Sequence, residues 1–242
     1  MYQPRTYRHW IKDGNLVSFA VVVKETDLFI RARSNLKEKA IELVEKYRHI
    51  LESYIEKHPG FATEFEPVTI NGNAPEIVRA MSTSSRGTGT GPMAGVAGAI
   101  AEFVGKDLLA LSPEVIVENG GDIFMKCTRK RIIGIYAGDS QLSGKIGLEI
   151  NGRDTPLGIC TSSGTVGHSH SYGKADAVIA ISPSTTLADN SATAIGNIIE
   201  NPTDLDKGIE IARKIEGLTG LVIITGSSMG AWGNVRLCSI SP

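Results

Sequence analysis

Asp189, Thr193 and Asn197 stand four residues apart near the C-terminal quarter of the chain. On a helix that spacing sets their polar atoms on one face, about one turn from one to the next. A carboxylate and a hydroxyl so placed are hard ligands, suited to magnesium or calcium and not to zinc. A polar stripe on a helix is usually only its wet face, and Leu187, Ala188, Ile195 and Ile198 on the other faces fit that reading equally. Composition argues the other way. Asp, Asn, Ser and Thr are poor choices for a helix interior, and a solvated face more usually carries Lys and Glu.

His168 and His170 lie in a glycine- and serine-rich loop and would share one side of an extended segment. Such a pair suits zinc, but only Cys160 is near enough to be a third soft ligand, so substrate or phosphate contact, or plain exposure, is the preferred reading. Cys127, Cys160 and Cys238 each lie in or beside apolar strand sequence, where buried, inert thiols are the rule. Cys160 stands apart because it abuts the turn Thr161, Ser162, Ser163, Gly164. Glycine turns at 87–91, 119–122, 162–167 and 226–230 could together line a phosphate-accepting cleft with backbone N–H groups, or could simply join strands. No Walker loop, dinucleotide fingerprint or serine-hydrolase elbow is present.

The elements that must position these groups follow from periodicity. Residues 16–23 and 28–32 read as a β-hairpin with a polar turn at 24–27. Leu36, Ala40, Val44, Tyr47, Leu51, Tyr54 and Ile55 form one stripe of a long helix, capped by Asn35 with Glu38 and stopped by Pro59-Gly60. A short helix is expected at 75–81, followed by a polar linker over 82–90. The small residues of 91–105 suit a helix that packs very closely on its neighbour, or one whose free N–H groups face an anion, and packing is preferred. Strands are expected at 114–117, 123–127, 131–136, 145–150, 157–161, 177–181, 221–224 and 233–239, with 225–230 as a loop. Helices fall at 185–199 and 203–215. Strands and helices mix without regular alternation, which predicts an α+β fold of mixed sheets with packed helices, in one domain over 1–242.

The totals exclude several classes. A net charge of −1 with no basic run gives no reason to expect nucleic acid. No run approaches the length of a membrane span. An odd, scattered set of three cysteines and a polar N-terminus, MYQPRTYRHW, point to a reducing, cytoplasmic setting.

Three segments in one order resemble a known family. Val117-Glu-Asn-Gly-Gly-Asp-Ile123, Cys160-Thr-Ser-Ser-Gly164 and Ala188-Asp-Asn-Ser-Ala-Thr-Ala194 are similar to the Asn-x-Gly-Gly-Asp turn, the Thr-Ser-Gly turn and the Ala-Asp-Ala-Leu-Ala-Thr-Ala helix of the ApbE-like FAD:protein FMN transferases. The resemblance implies an ApbE-like, T-fold-like architecture. It implies magnesium held by Asp189 and Thr193, with a backbone carbonyl from about Val96. FAD or another nucleotide would be contacted by Asn119, Gly120, Gly121 and Asp122, and by Thr161 to Gly164 with His168 and His170. In the family the metal bridges the FAD pyrophosphate, an acceptor threonine attacks, AMP leaves and FMN remains on the acceptor protein.

The chain departs from the pattern in three places. Val96-Ala97-Gly98 stands where the family usually has Ala-Lys-Gly, Asn190-Ser191 replaces Ala-Leu, and the family's histidine run is shortened to residues 168–173. The chain looks most similar to a compact cytoplasmic branch of the superfamily, associated in anaerobes with sulfide assimilation. Three readings therefore stand: flavinyl or phosphoryl transfer at the metal, a sulfide-assimilation factor using Cys160, and a nucleotide-binding protein without catalysis. The implied partners are a nucleotide or flavin and an acceptor protein, with self-association open.

Overall fold

The structure, a computed structural model, describes residues 15–166 and 172–240. Its frame is an eight-stranded sheet in the order β1 (Val17–Val23), β2 (Thr26–Ala32), β3 (Val115–Asn119), β4 (Asp122–Lys126), β7 (Leu157–Ser162), β8 (Ala177–Ser182), β9 (Gly220–Thr225) and β10 (Ser228–Gly233). Every neighbouring pair is antiparallel. A smaller sheet of β5 (Arg131–Gly134), β6 (Ile146–Ile150) and β11 (Leu237–Ser239) is also antiparallel.

Three layers result, because the central strands bury both faces. Along β8 and β9 every residue is buried. Ile179, Ile181, Val222 and Ile224 pack toward the small sheet, with Ile133, Leu148 and Ile150. Val178, Ala180, Leu221 and Ile223, alternating with them, pack toward α5 (Thr185–Gly196) and α6 (Leu205–Ala212). At the other end of the sheet, β1–β3 pack with α1 (Lys37–Lys57), α3 (Glu76–Thr88) and α4 (Val96–Leu108). These two-sided strands explain why continuous apolar runs occur in an antiparallel sheet, where alternation is the commoner pattern.

The hairpin, the long helix and α5 stand where periodicity places them, and α2 (Gly60–Thr63) follows the Pro59 break. Two expectations are corrected. Residues 82–88 are helix, not linker. Their hydroxyls bond backbone carbonyls, Ser82 Oγ to Val68 O at 3.2 Å and Thr88 Oγ1 to Ser84 O at 3.0 Å, so small polar residues can be buried in a helix against α5. Residues 225–230 are not a loop either. Gly226 takes a φ of +60° in the tight turn after Thr225, and β10 begins at Ser228.

α4 and α5 approach too closely for side chains between them. A Cβ on Gly98 would lie 2.7 Å from the Thr185 carbonyl oxygen and 2.8 Å from Asp189 Cβ. The small residues of this segment thus serve helix packing, as expected. The anion-facing alternative also holds in one respect. The Gly98 N–H, in the first turn of α4, donates to Asp189 Oδ2 at 2.8 Å.

Candidate functional site

α5 begins at the N-cap Ser184, whose Oγ accepts from the Leu187 N–H, and it carries the polar stripe into the molecule. Asp189, Thr193 and Asn197 all line one cavity of about 650 Å³. The stripe is therefore not a solvated face. Asp189 is only 7% exposed. Its one hydrogen bond among the described residues comes from Gly98, which leaves the second carboxylate oxygen and the Thr193 hydroxyl without a protein partner. Asn197 Oδ1 accepts from the Tyr172 N–H at 3.0 Å and holds that residue at the cavity mouth.

The β3–β4 hairpin supplies the facing wall. Gly120 and Gly121 take φ values of +67° and +110° in its two-residue turn, a backbone that favours glycine, and both line the cavity with Asp122. Asp122 Oδ1 accepts from the Thr161 N–H at 3.2 Å, which ties the turn to the end of β7. Thr161, Ser162 and Ser163 also line the cavity. So do Val96 and Ala97, from the first turn of α4.

Other expected residues are placed behind the wall. Asn119 donates from Nδ2 to the Ala97 carbonyl at 3.0 Å and fixes the hairpin against α4. Gly164 packs on the Gly173 backbone, where a Cβ would lie 2.0 Å from a carbonyl oxygen. His168 and His170 lie outside the described residues. Cys160 points the opposite way, into the core between the sheet and α5, with Sγ 3.3 Å from the Thr185 carbonyl oxygen. Burial pushes its thiol pKa well above the ordinary value, and the charges of Asp122 and Asp189 raise it further. A nucleophilic cysteine needs a lowered pKa and access, so the geometry does not carry the expectation that Cys160 handles sulfide.

Much of the cavity comes from residues that motifs do not flag. Ile123, Ile159 and Ile179 of the large sheet and Ile133, Ile135 and Leu148 from the small-sheet side form an apolar slot between the layers. Phe65, Tyr136 and Tyr172 stand exposed at its rim. They belong to segments far apart in the chain, so no single motif marks them.

The site is acidic. Glu64, Asp122 and Asp189 line it, and no lysine or arginine does so among the described residues. Burial raises the Asp189 pKa well above the usual carboxylate range, and the Asp122 charge adds to it, against the lowering by the Gly98 N–H. A second carboxylate on the same concave wall disfavours the charged form of Asp189, as burial does. Among the described residues no three His, Cys, Asp or Glu side chains cluster as a complete metal cage. One carboxylate oxygen and one hydroxyl on one helix face nevertheless fit a hard cation that draws its remaining ligands from water and phosphate, as magnesium commonly does.

The family model described as AbpE bacteria matches residues 8–217. The chain belongs to that family. Relatives within reach of sequence include UPF0280 protein MJ1526 of Methanocaldococcus jannaschii, 38% identical over 221 residues, covering 89% of this chain and 90% of that one. UPF0280 protein MK0206 of Methanopyrus kandleri is 41% identical over 225 residues, covering 90% and 91%. Among solved structures, the flavinyl transferase ApbE of Pseudomonas stutzeri, apo form, superposes with a TM-score of 0.57 at 17% identity, over 90% of this chain and 94% of that one. The flavin transferase ApbE of Vibrio cholerae gives 0.52 at 12%, over 90% and 96%. The fold is α+β with antiparallel sheets and packed helices, similar to ApbE. No helix among the described residues of this AbpE-family chain is long and apolar enough to cross a membrane.

Proposed function

We propose that the cavity binds a flavin nucleotide such as FAD together with a divalent cation, magnesium, and transfers FMN from it to an acceptor protein. The observation that carries this reading is the union of two surfaces in one cavity. An oxygen-bearing stripe, Asp189 and Thr193, stands at one side, and an aliphatic slot of six Ile and Leu side chains opens at the other. A ligand that fits both has a phosphate-bearing end and a flat, weakly polar ring, and a dinucleotide flavin has both. That the two solved neighbours named above are flavin transferases supports the same assignment.

The chain's residues divide the work. Asp189 and Thr193 hold the cation, with the first turn of α4 at Val96 beside them. Gly98 orients Asp189 through its N–H. The Gly120–Gly121 turn brings backbone close to the nucleotide, and Thr161, Ser162 and Ser163 offer hydroxyls along its length. The bound cation would neutralise the pyrophosphate and leave the flavin-side phosphorus open to an acceptor hydroxyl, with AMP as the leaving group. Exposed Phe65, Tyr136 and Tyr172 flank the entrance through which an acceptor side chain would reach it.

A second reading, nucleotide binding without transfer, is favoured by one observation: no cationic side chain faces the cavity among the described residues, so the metal alone would carry transition-state charge. Incubation with FAD, magnesium and a threonine-containing acceptor separates the two. Release of AMP with flavin retained on the acceptor is expected for transfer. FAD bound but intact leaves binding alone, and no bound flavin removes both.

A further inference from the structure

Glu102 lies on α4 outside the cavity and is buried to 4% exposure. A buried carboxylate needs several partners, and this one has four. Its Oε2 accepts from the Thr186 N–H at 2.9 Å, from Thr186 Oγ1 at 2.9 Å and from Ser184 Oγ at 3.3 Å. Its Oε1 accepts from Lys106 Nζ at 2.7 Å. Thr186 is in the first turn of α5, so a side chain of another helix satisfies one of the N-terminal N–H groups of α5 and faces the positive end of its dipole.

The spacing gives this contact its meaning. Gly98 and Glu102 are four apart on α4, and Asp189 and Thr186 are three apart on α5. Each pair is one helical turn, so Gly98 N–H to Asp189 Oδ2 and Thr186 N–H to Glu102 Oε2 are successive rungs of one seam. At the first rung the helices approach through Gly98 itself, which has no side chain to set the register. Two rungs one turn apart constrain both the rotation of α5 about its axis and its slide along α4, beside the Asn190 bonds to Thr90 and Gly91 that hold the next turn.

We propose that Glu102 is a positioning residue. It sets the register of α5 against α4, and so holds Asp189 and Thr193 toward the cavity. It touches neither the cavity nor any ligand there. Its effect on cation affinity rests on the reading of the site given above, whereas its effect on the Gly98–Asp189 bond does not.

Two readouts keep those apart. The Gly98 amide, followed by NMR after glycine-selective nitrogen labelling, reports the bond to Asp189. Titration with Mn²⁺ followed by electron paramagnetic resonance reports the cation. Glu102→Ala is expected to shift the Gly98 amide, to raise its hydrogen-exchange rate and to weaken Mn²⁺ by about tenfold, the lower range for residues behind a metal ligand. Glu102→Gln keeps an acceptor for the Thr186 N–H and should recover most of both effects. Ile100→Ala, on the same helix but in the core beneath α1, controls for lost stability and should leave both readouts unchanged. If Glu102→Ala fails to fold, Thr186→Val removes one of the same bonds and should move both readouts in the same direction, more weakly. An unmoved Gly98 amide in Glu102→Ala or in Thr186→Val, or an equal shift in Ile100→Ala, overturns the proposal. A wild-type protein that binds no Mn²⁺ removes the metal reading and leaves the amide test of Glu102 standing.

Discussion

Two buried carboxylates of this protein are treated in opposite ways. Glu114 has a side chain with no exposure and is surrounded by partners. Arg131 reaches Oε2 at 2.5 Å, Arg33 reaches Oε1 at 2.8 Å, and Thr128 adds a short hydrogen bond to Oε1. Burial alone would raise its pKa, but the Thr128 and Arg131 hydrogen bonds and the Arg131 and Arg33 charges prevail and lower it to about 2. Asp189 is nearly as buried, receives one backbone N–H, faces a second carboxylate, and has its pKa pushed up. The first charge is completed by the fold. The second receives a single N–H among the described residues and faces a cavity. Compensation within the protein marks a carboxylate that holds structure, and its lack in a cavity marks a site.

The largest expected effect follows from removing the completed charge. Glu114→Gln removes the buried negative charge that Arg131 and Arg33 pair with and should cost about 3 kcal/mol, read from urea denaturation. A loss below about 1 kcal/mol would break the contrast.

Acid should act through the same group. The folded pKa of Glu114, about 2, lies below its ordinary 4.5, so over that interval the folded protein binds fewer protons than the unfolded chain. The stabilisation is complete above pH 4.5 and is lost as the pH falls toward 2, roughly 3 kcal/mol in all. Denaturation midpoints of wild type and Glu114→Gln should therefore converge on acidification. Parallel curves down to pH 2 would contradict this.

Gly98→Ala tests the seam beneath the site. A Cβ there meets the Thr185 carbonyl and Asp189 Cβ at under 3 Å. The helices must part, at a cost of about 2 kcal/mol, with loss of cation binding. Retained affinity would mean that the close approach does not position Asp189. Smallest of all should be the stability effect of Asp189→Asn. It removes an uncompensated charge while an amide oxygen can still accept from Gly98, so thermal unfolding should stay within about 1 kcal/mol of wild type, or rise. A loss comparable to that of Glu114→Gln would show that Asp189 holds structure after all.

How much of this was legible in the chain differs between fold and site. The β1–β2 hairpin and α1 follow from periodicity, and α5 from the Pro183 and threonine signals at its start and Asn201-Pro202 after its end. Residues 82–88 did not, since Ser, Thr and Gly read as linker until their hydroxyls are seen bonded to carbonyls of Val68 and Ser84. β10 was hidden by its two glycines and serine. At the site, the spacing of Asp189, Thr193 and Asn197 was sufficient to find one wall of the cavity, and the turns at 119–122 and 161–163 to find other residues that line it. The aliphatic slot was not visible, because its six side chains come from both sheet layers and no segment carries more than two of them. Glu102 was likewise hidden. A glutamate on a helix reads as solvated until α5 is packed upon it.

The claim that Asp189 and Thr193 form a divalent-cation face beside a nucleotide is tested most directly by calorimetric titration of FAD into the wild type and into Asp189→Ala. Each is measured with magnesium and again with a chelator. Binding by the wild type only with magnesium, and by Asp189→Ala under neither condition, is the expected result. Equal binding with and without magnesium, or undiminished binding by Asp189→Ala, would contradict it.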